Sequence, residues 1–139
     1  MDALLLSASK KHADKQYVEA LKDFDAAIEL DPSSSGAFLK RAQCKHDAAM
    51  VEDAIADYDK AIALSASPSF YVFVLLGDAY RQCNKYEQAI VNYQAAIQLN
   101  PTSVAAIFNS AISYNELGKI DEAIDAFDKL IGLDPSNAD

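Results

Sequence analysis

The side chains of this 139-residue chain whose types could do chemistry are two histidines, two cysteines and a large surplus of carboxylates. His12 and His46 lie 34 residues apart, and a pair of imidazoles invites a metal reading. One zinc, however, gathers about four ligands at roughly 2 Å. Neighbouring packed helices stand about 8–10 Å apart, and no third or fourth ligand accompanies the two rings, so no metal site is expected. Cys44 and Cys83 are too few for a disulfide framework and read as small packing residues. With no signal peptide at the start, they fit a reducing, cytoplasmic compartment. Lys plus Arg number 12 against 21 Asp plus Glu, a formal net charge of −9. That balance argues against nucleic acid, whose phosphates draw on clustered Lys and Arg, and against an anionic membrane surface. Paired carboxylates for acid–base catalysis need a pocket and a raised pKa. Glu19, Asp23, Asp25, Asp53, Asp57, Asp59, Glu122, Asp125 and Asp128 instead fall at helix positions away from the expected core, where a solvated outer face is expected. No phosphate-binding loop, zinc-protease motif or nucleophile elbow is present. The chain reads as a non-enzyme that needs no cofactor.

A repeat positions these residues. Ala-Ile-Glu-Leu-Asp-Pro at 27–32 returns as Ala-Ile-Ala-Leu at 61–64, Ala-Ile-Gln-Leu-Asn-Pro at 96–101 and Leu-Ile-Gly-Leu-Asp-Pro at 130–135. The closing leucines, Leu30, Leu64, Leu99 and Leu133, are spaced by 34, 35 and 34 residues, with the extra residue in the Ser65–Ser69 loop around Pro68. Numbering each repeat from its first residue, small side chains recur at position 8 (Ala8, Ala42, Gly77, Ala111) and position 20 (Ala20, Ala54, Ala89, Ala123). Rings recur at position 24 (Phe24, Tyr58, Tyr93, Phe127) and aliphatics at positions 21 and 28. Positions 20, 21, 24, 27 and 28 form one helix face. The small residues allow close approach of a partner helix and the ring fills the space between them. First helices are predicted over 2–14, 36–48, 70–83 and 104–117, and second helices over 17–30, 51–64, 86–99 and 120–133. Each pair leaves an apolar edge that only the next pair covers, which predicts an all-α stack, a solenoid of helical pairs. A single array over 1–139 is expected, with repeats at about 1–34, 35–69, 70–103 and 104–137.

These columns resemble the tetratricopeptide repeat family over essentially the whole chain, as four repeats. Repeat three matches best, with Phe73, Leu76-Gly77, Tyr80, Ala89, Tyr93, Ala96 and Pro101. Repeats one and two depart from the pattern with Lys11 and Lys45 where a Tyr belongs, and repeat two has Ala66 for the Pro. No repeat carries the family's Trp; Leu4, Phe38, Phe73 and Ile107 stand there. The resemblance implies a right-handed α-solenoid whose first helices line a concave surface that takes an extended peptide or a partner helix.

Function is then sought where packing leaves residues free. Position 5 of the first helices is apolar throughout: Leu5, Leu39, Val74 and Phe108. Around it stand Lys40 and Asn109 at position 6, Gln43, Asp78 and Ile112 at position 9, His46 and Arg81 at position 12, and Tyr71 at position 2. An exposed apolar row marks an interaction surface, although the same column would also serve the core if it tucked under the adjacent repeat. The surface reading is favoured, with another protein, through an apolar or amphipathic segment, as the partner. The family's carboxylate clamp is not implied. Its five cationic and amide positions are occupied here by Leu5, Ser9, Lys40, Tyr71 and Leu75, or one repeat later by Leu39, Gln43, Leu75, Ala105 and Asn109. An apolar column supplies no charge-assisted donors.

Leu130 replaces the Ala27, Ala61 and Ala96 of earlier repeats, so the last repeat is expected to face a different neighbour. Further chain or self-association through that uncapped face would supply it. Two other roles stay open: a targeting or adaptor domain of a larger enzyme or cochaperone, and a self-assembling structural module.

Overall fold

A computed structural model describes residues 2–133, and the secondary structure within them is α-helical. The helices are α1 (Asp2–Ala13), α2 (Tyr17–Leu30), α3 (Ser35–Asp47), α4 (Val51–Leu64), α5 (Phe70–Gln82), α6 (Tyr86–Leu99), α7 (Val104–Glu116) and α8 (Ile120–Leu133). Each boundary falls within one residue of its expected place. Pro135, the break expected after repeat four, lies outside the described residues, as do Met1 and the rest of 134–139. The chain divides into two compact units, 1–68 and 69–139, each holding two helical pairs. The division falls in the loop that carries the extra residue.

The turns explain the period. Inside each pair the chain reverses at position 15, where Lys15, Ala49, Asn84 and Gly118 all have φ between 61° and 76°. The following amide reaches back to the carbonyl five residues earlier: Gln16 to Lys11, Met50 to Lys45, Lys85 to Tyr80 and Lys119 to Tyr114, at 2.8–2.9 Å. This left-handed cap satisfies carbonyls that the helix end leaves open. Only repeat four uses the glycine that this conformation favours. Ala49→Gly is therefore expected to raise stability by about 0.5–1 kcal/mol, read as a higher urea midpoint with unchanged helicity. Between repeats the turn is built by side chains. Asp31 accepts from the amide and hydroxyl of Ser33 at 3.2 and 2.7 Å, and Asn100 accepts likewise from Thr102. Ser34, Ser69 and Ser103 then cap α3, α5 and α7 by accepting from amides in the first turn. Repeat two, which lacks the proline, turns on Ser65, whose hydroxyl accepts from the Ser67 amide.

The expected core forms. Ala8, Ala20, Phe24 and Ala27 are fully buried in repeat one, as are Ala42, Ala54 and Tyr58 in repeat two and Ala89, Tyr93 and Ala96 in repeat three. The buried Cys44 of α3 joins the Ala8–Ala20–Phe24 cluster, and Ala106 of α7 joins Ala89, Tyr93 and Ala96. Repeat four differs. Phe127 and the apolar residues beside it, Ile124 and Ile131, keep 37–50% of their surface. The same columns are covered by the next first helix in repeats one and three.

The acidic outer face needs one correction. Asp57 is not solvated: it is 4% exposed and takes both arms of Arg41, at 2.7 Å each, and Lys45 Nζ at 2.9 Å. Arg41 also donates to Asp25 at 2.9 Å. In repeat one Asp23 accepts from Lys11 at 2.7 Å and from Ser7 at 2.8 Å, and those two bonds hold its carboxyl below the usual range. The two lysines that break the family pattern at position 11 are thus the partners of the aspartates at position 23. Positions 7, 11 and 23 work as one set. Repeats one and two place ion pairs there, and repeat three has Leu76, Tyr80 and Asn92 at the same positions.

Candidate protein-interaction site

The apolar column at position 5 divides. Val74 is 4% exposed and belongs to the core cluster with Ala89, Tyr93, Ala96 and Ala106. Its place is the tucked one, so Val74 does not line a surface. Leu5 is half-buried against the Ala8–Phe24 cluster, and Leu39 is half-buried as well. Phe108 is 45% exposed, its ring edge set against Phe127 with centroids 6.0 Å apart. Beside these, Lys40 is exposed, Gln43 and Ile112 are half-buried, and Tyr71 keeps 49% of its surface.

The polar residues are gathered by partners that sequence columns alone do not reveal. In unit 69–139, Asp78 and Arg81 meet at the hydroxyl of Tyr93, and Asp78 in turn holds Asn109. Tyr93 donates to Asp78, Asn109 Nδ2 donates to the same Asp78 oxygen at 2.9 Å, and Arg81 Nε donates to Tyr93 Oη at 3.2 Å. Burial, with the bond to Asp78, pushes the Tyr93 hydroxyl well above its ordinary range, so it stays a neutral donor. Asn109 still has a carbonyl oxygen with which to accept from a peptide amide. In unit 1–68, His46 Nδ1 meets Tyr58 Oη at 3.2 Å, while His12 Nε2 meets Asp47 at 2.6 Å. The two histidines have separate partners on separate side chains. A rule links these contacts: where position 24 is Tyr, position 12 carries a side chain that reaches its hydroxyl.

A second concavity lies elsewhere on unit 69–139. A furrow of about 460 Å³ runs between α6 and α8 over the buried side of α7. Ile97, Ile107, Ser110 and Ala126 form its floor, and Tyr114, whose hydroxyl accepts from Gln94 Nε2 at 2.8 Å, closes one side. None of the residues expected to bind a partner lines it.

Helical pairs of one length, one turn and one core define a helical-repeat protein, an α-solenoid class whose surfaces bind other proteins. Two models described as tetratricopeptide repeat match residues 15–69 and 105–137, and one described as TPR repeat matches 77–114. The chain belongs to the tetratricopeptide repeat family. It is similar to the Hsp70-Hsp90 organizing protein 3 of Arabidopsis thaliana, with 38% identity over 60 residues, which are 43% of this chain and 11% of that protein. The match therefore spans about a tenth of that relative's length. Among solved structures, MamA superposes with a TM-score of 0.86 at 26% identity, covering 92% of this chain and 74% of that one. YrrB, described as a TPR protein with an unusual peptide-binding site, superposes with a TM-score of 0.85 at 24% identity, covering 97% and 69%. No described helix is long and apolar enough to cross a membrane.

Proposed function

We propose that the chain is a binding scaffold whose first helices take an apolar or amphipathic segment of another protein. The observation that carries this reading is Phe108. It is a large apolar side chain, 45% exposed, next in sequence to an asparagine already oriented by a partly buried polar network. Exposed apolar surface beside preset hydrogen-bonding groups is the composition of a recognition site. Ile112 and Tyr71 extend that surface in unit 69–139, and Leu39, Lys40 and Gln43 offer a smaller one in unit 1–68. Because Tyr93 holds Asp78 and Arg81, and Asp78 holds Asn109, before any partner arrives, little side-chain ordering is left to binding. The peptide-binding site of YrrB, on the same fold, supports the reading.

The test uses the whole chain as bait, then titrates the bound segment it retrieves. Phe108→Ala and Leu39→Glu are each expected to weaken binding about tenfold or more, the loss of one well-packed anchor, with helicity unchanged and the chain still folded at the temperature of the titration. Binding that survives both substitutions would remove the assignment.

The relative's name connects it with two chaperones, which raises an adaptor role for this chain within a larger assembly. The clamp positions argue against a chaperone carboxylate as the ligand, since Leu5, Tyr71 and Leu75 give it no cation. Self-association through the last repeat has one observation behind it, the exposed row Ile120, Ile124, Phe127 and Ile131. End-to-end stacking in repeat register would bring in Lys10, whereas its counterparts Cys44, Ala79 and Ser113 are fully buried. A lysine there disfavours that register.

A further inference from the structure

The furrow between α6 and α8 lies where repeat four has short side chains at positions 7 and 23. Where repeat two places Arg41 against Asp57, repeat four has Ser110 and Ala126, and neither side chain reaches across. Ser110 turns its hydroxyl onto its own helix, donating to the Ile107 carbonyl at 2.7 Å. What remains is a concave space of about 460 Å³, within the roughly 300–1,000 Å³ that ordinary ligand sites occupy. Its floor is apolar. The α8 side carries Glu122, Asp125 and Lys129. Asp121 and Asp128 add to the negative field of that helix.

We propose that this furrow binds a basic peptide segment, an arginine with an apolar neighbour, supplied by a partner protein. Charge complementarity selects the occupant. An arginine stem lies over Ile97, Ile107 and Ala126 while its guanidinium reaches the Glu122 and Asp125 carboxylates, the pairing that planar donors favour. The Tyr114 ring, held by Gln94, offers the cation a face. The partner thereby completes in trans the cation–carboxylate filling that repeats one and two make for themselves. The site lies between α6 and α8 over α7, shares no residue with the surface of the proposed function, and stands or falls independently of it.

The experiment is an amide chemical-shift titration of the full chain with acetyl-Leu-Arg-amide, with acetyl-Leu-Glu-amide as the comparison. The arginine peptide is expected to give saturable shifts at Ile97, Ser110 and Ala126, and the glutamate peptide to bind at least tenfold more weakly. Ser110→Arg with Ala126→Asp transplants the filling of repeat two. It is expected to abolish those shifts while keeping the melting temperature. Glu122→Gln with Asp125→Asn, which leaves the floor intact, is expected to weaken the arginine peptide at least tenfold, and it serves as the test if the filled variant does not fold. The proposal is overturned by no saturable shift at the furrow, by equal affinity for the two peptides, or by arginine binding that persists in the variants.

Discussion

Asp57→Ala is expected to destabilise unit 1–68 by about 3 kcal/mol, the lower end of what removing one partner from a buried ion pair costs. The carboxylate is 4% exposed and accepts from Arg41 twice and from Lys45 once. Its removal leaves two cations whose side chains are only 18% exposed. Arg41 keeps Asp25, and both stems can extend towards water, which places the effect at the lower end. The opposite outcome is expected for the triple change Arg41→Leu, Lys45→Tyr and Asp57→Asn. It copies the set that repeat three uses, and well-packed replacements of buried ion pairs are often neutral or stabilising. Urea titration followed by circular dichroism reads both variants. A loss under about 1 kcal/mol for Asp57→Ala would mean that the ion set does not hold α3 to α4.

That set shows what a single sequence discloses and what it hides. Helix boundaries were legible to within one residue because they follow from columns taken one at a time: small at 8 and 20, ring at 24, a break after 30. The ion pairs were not, because each resides in a correlation. Taken singly, Lys11 and Lys45 are departures from a family pattern, and Asp23 and Asp57 read as solvated acids. Reading positions 11 and 23 together would have joined them, since Lys occurs with Asp in repeats one and two and Tyr with Asn or Ala in repeats three and four. The link between positions 12 and 24 is of the same kind. The position-15 turn leaves little trace in the sequence because only one of its four residues is glycine. Val74 misled for another reason: position 5 lies at the margin of the buried face, and a neighbouring helix decides whether it is covered. The furrow could not be read from columns at all, since it is formed by two side chains that are too short.

Tyr93→Ala is expected to cost about 3–5 kcal/mol, as for other fully buried rings, and to remove the hydroxyl that joins Asp78 to Arg81. The ring is fully buried, and it lies so close over Gly77 that a Cβ there would stand 2.6 Å from its edge. The glycine lets the ring approach α5 closely enough for its hydroxyl to reach Asp78. Tyr93→Phe separates the hydroxyl from the ring. Asp78 keeps Asn109, so the loss at neutral pH is about 1 kcal/mol. The alkaline limb distinguishes the two forms more sharply. Burial raises the folded pKa of Tyr93 above its ordinary value near 10. The unfolded chain then gives up this proton first, so the stabilisation is complete below pH 10 and declines above it, by about 1.4 kcal/mol at pH 11. Tyr93→Phe has no such proton to lose, and its stability profile should fall less steeply than that of wild type over the same interval. Parallel profiles between pH 9 and 11 would show that Tyr93 ionises within the fold, and a buried neutral donor could then no longer be the group that orients Asp78 and Arg81.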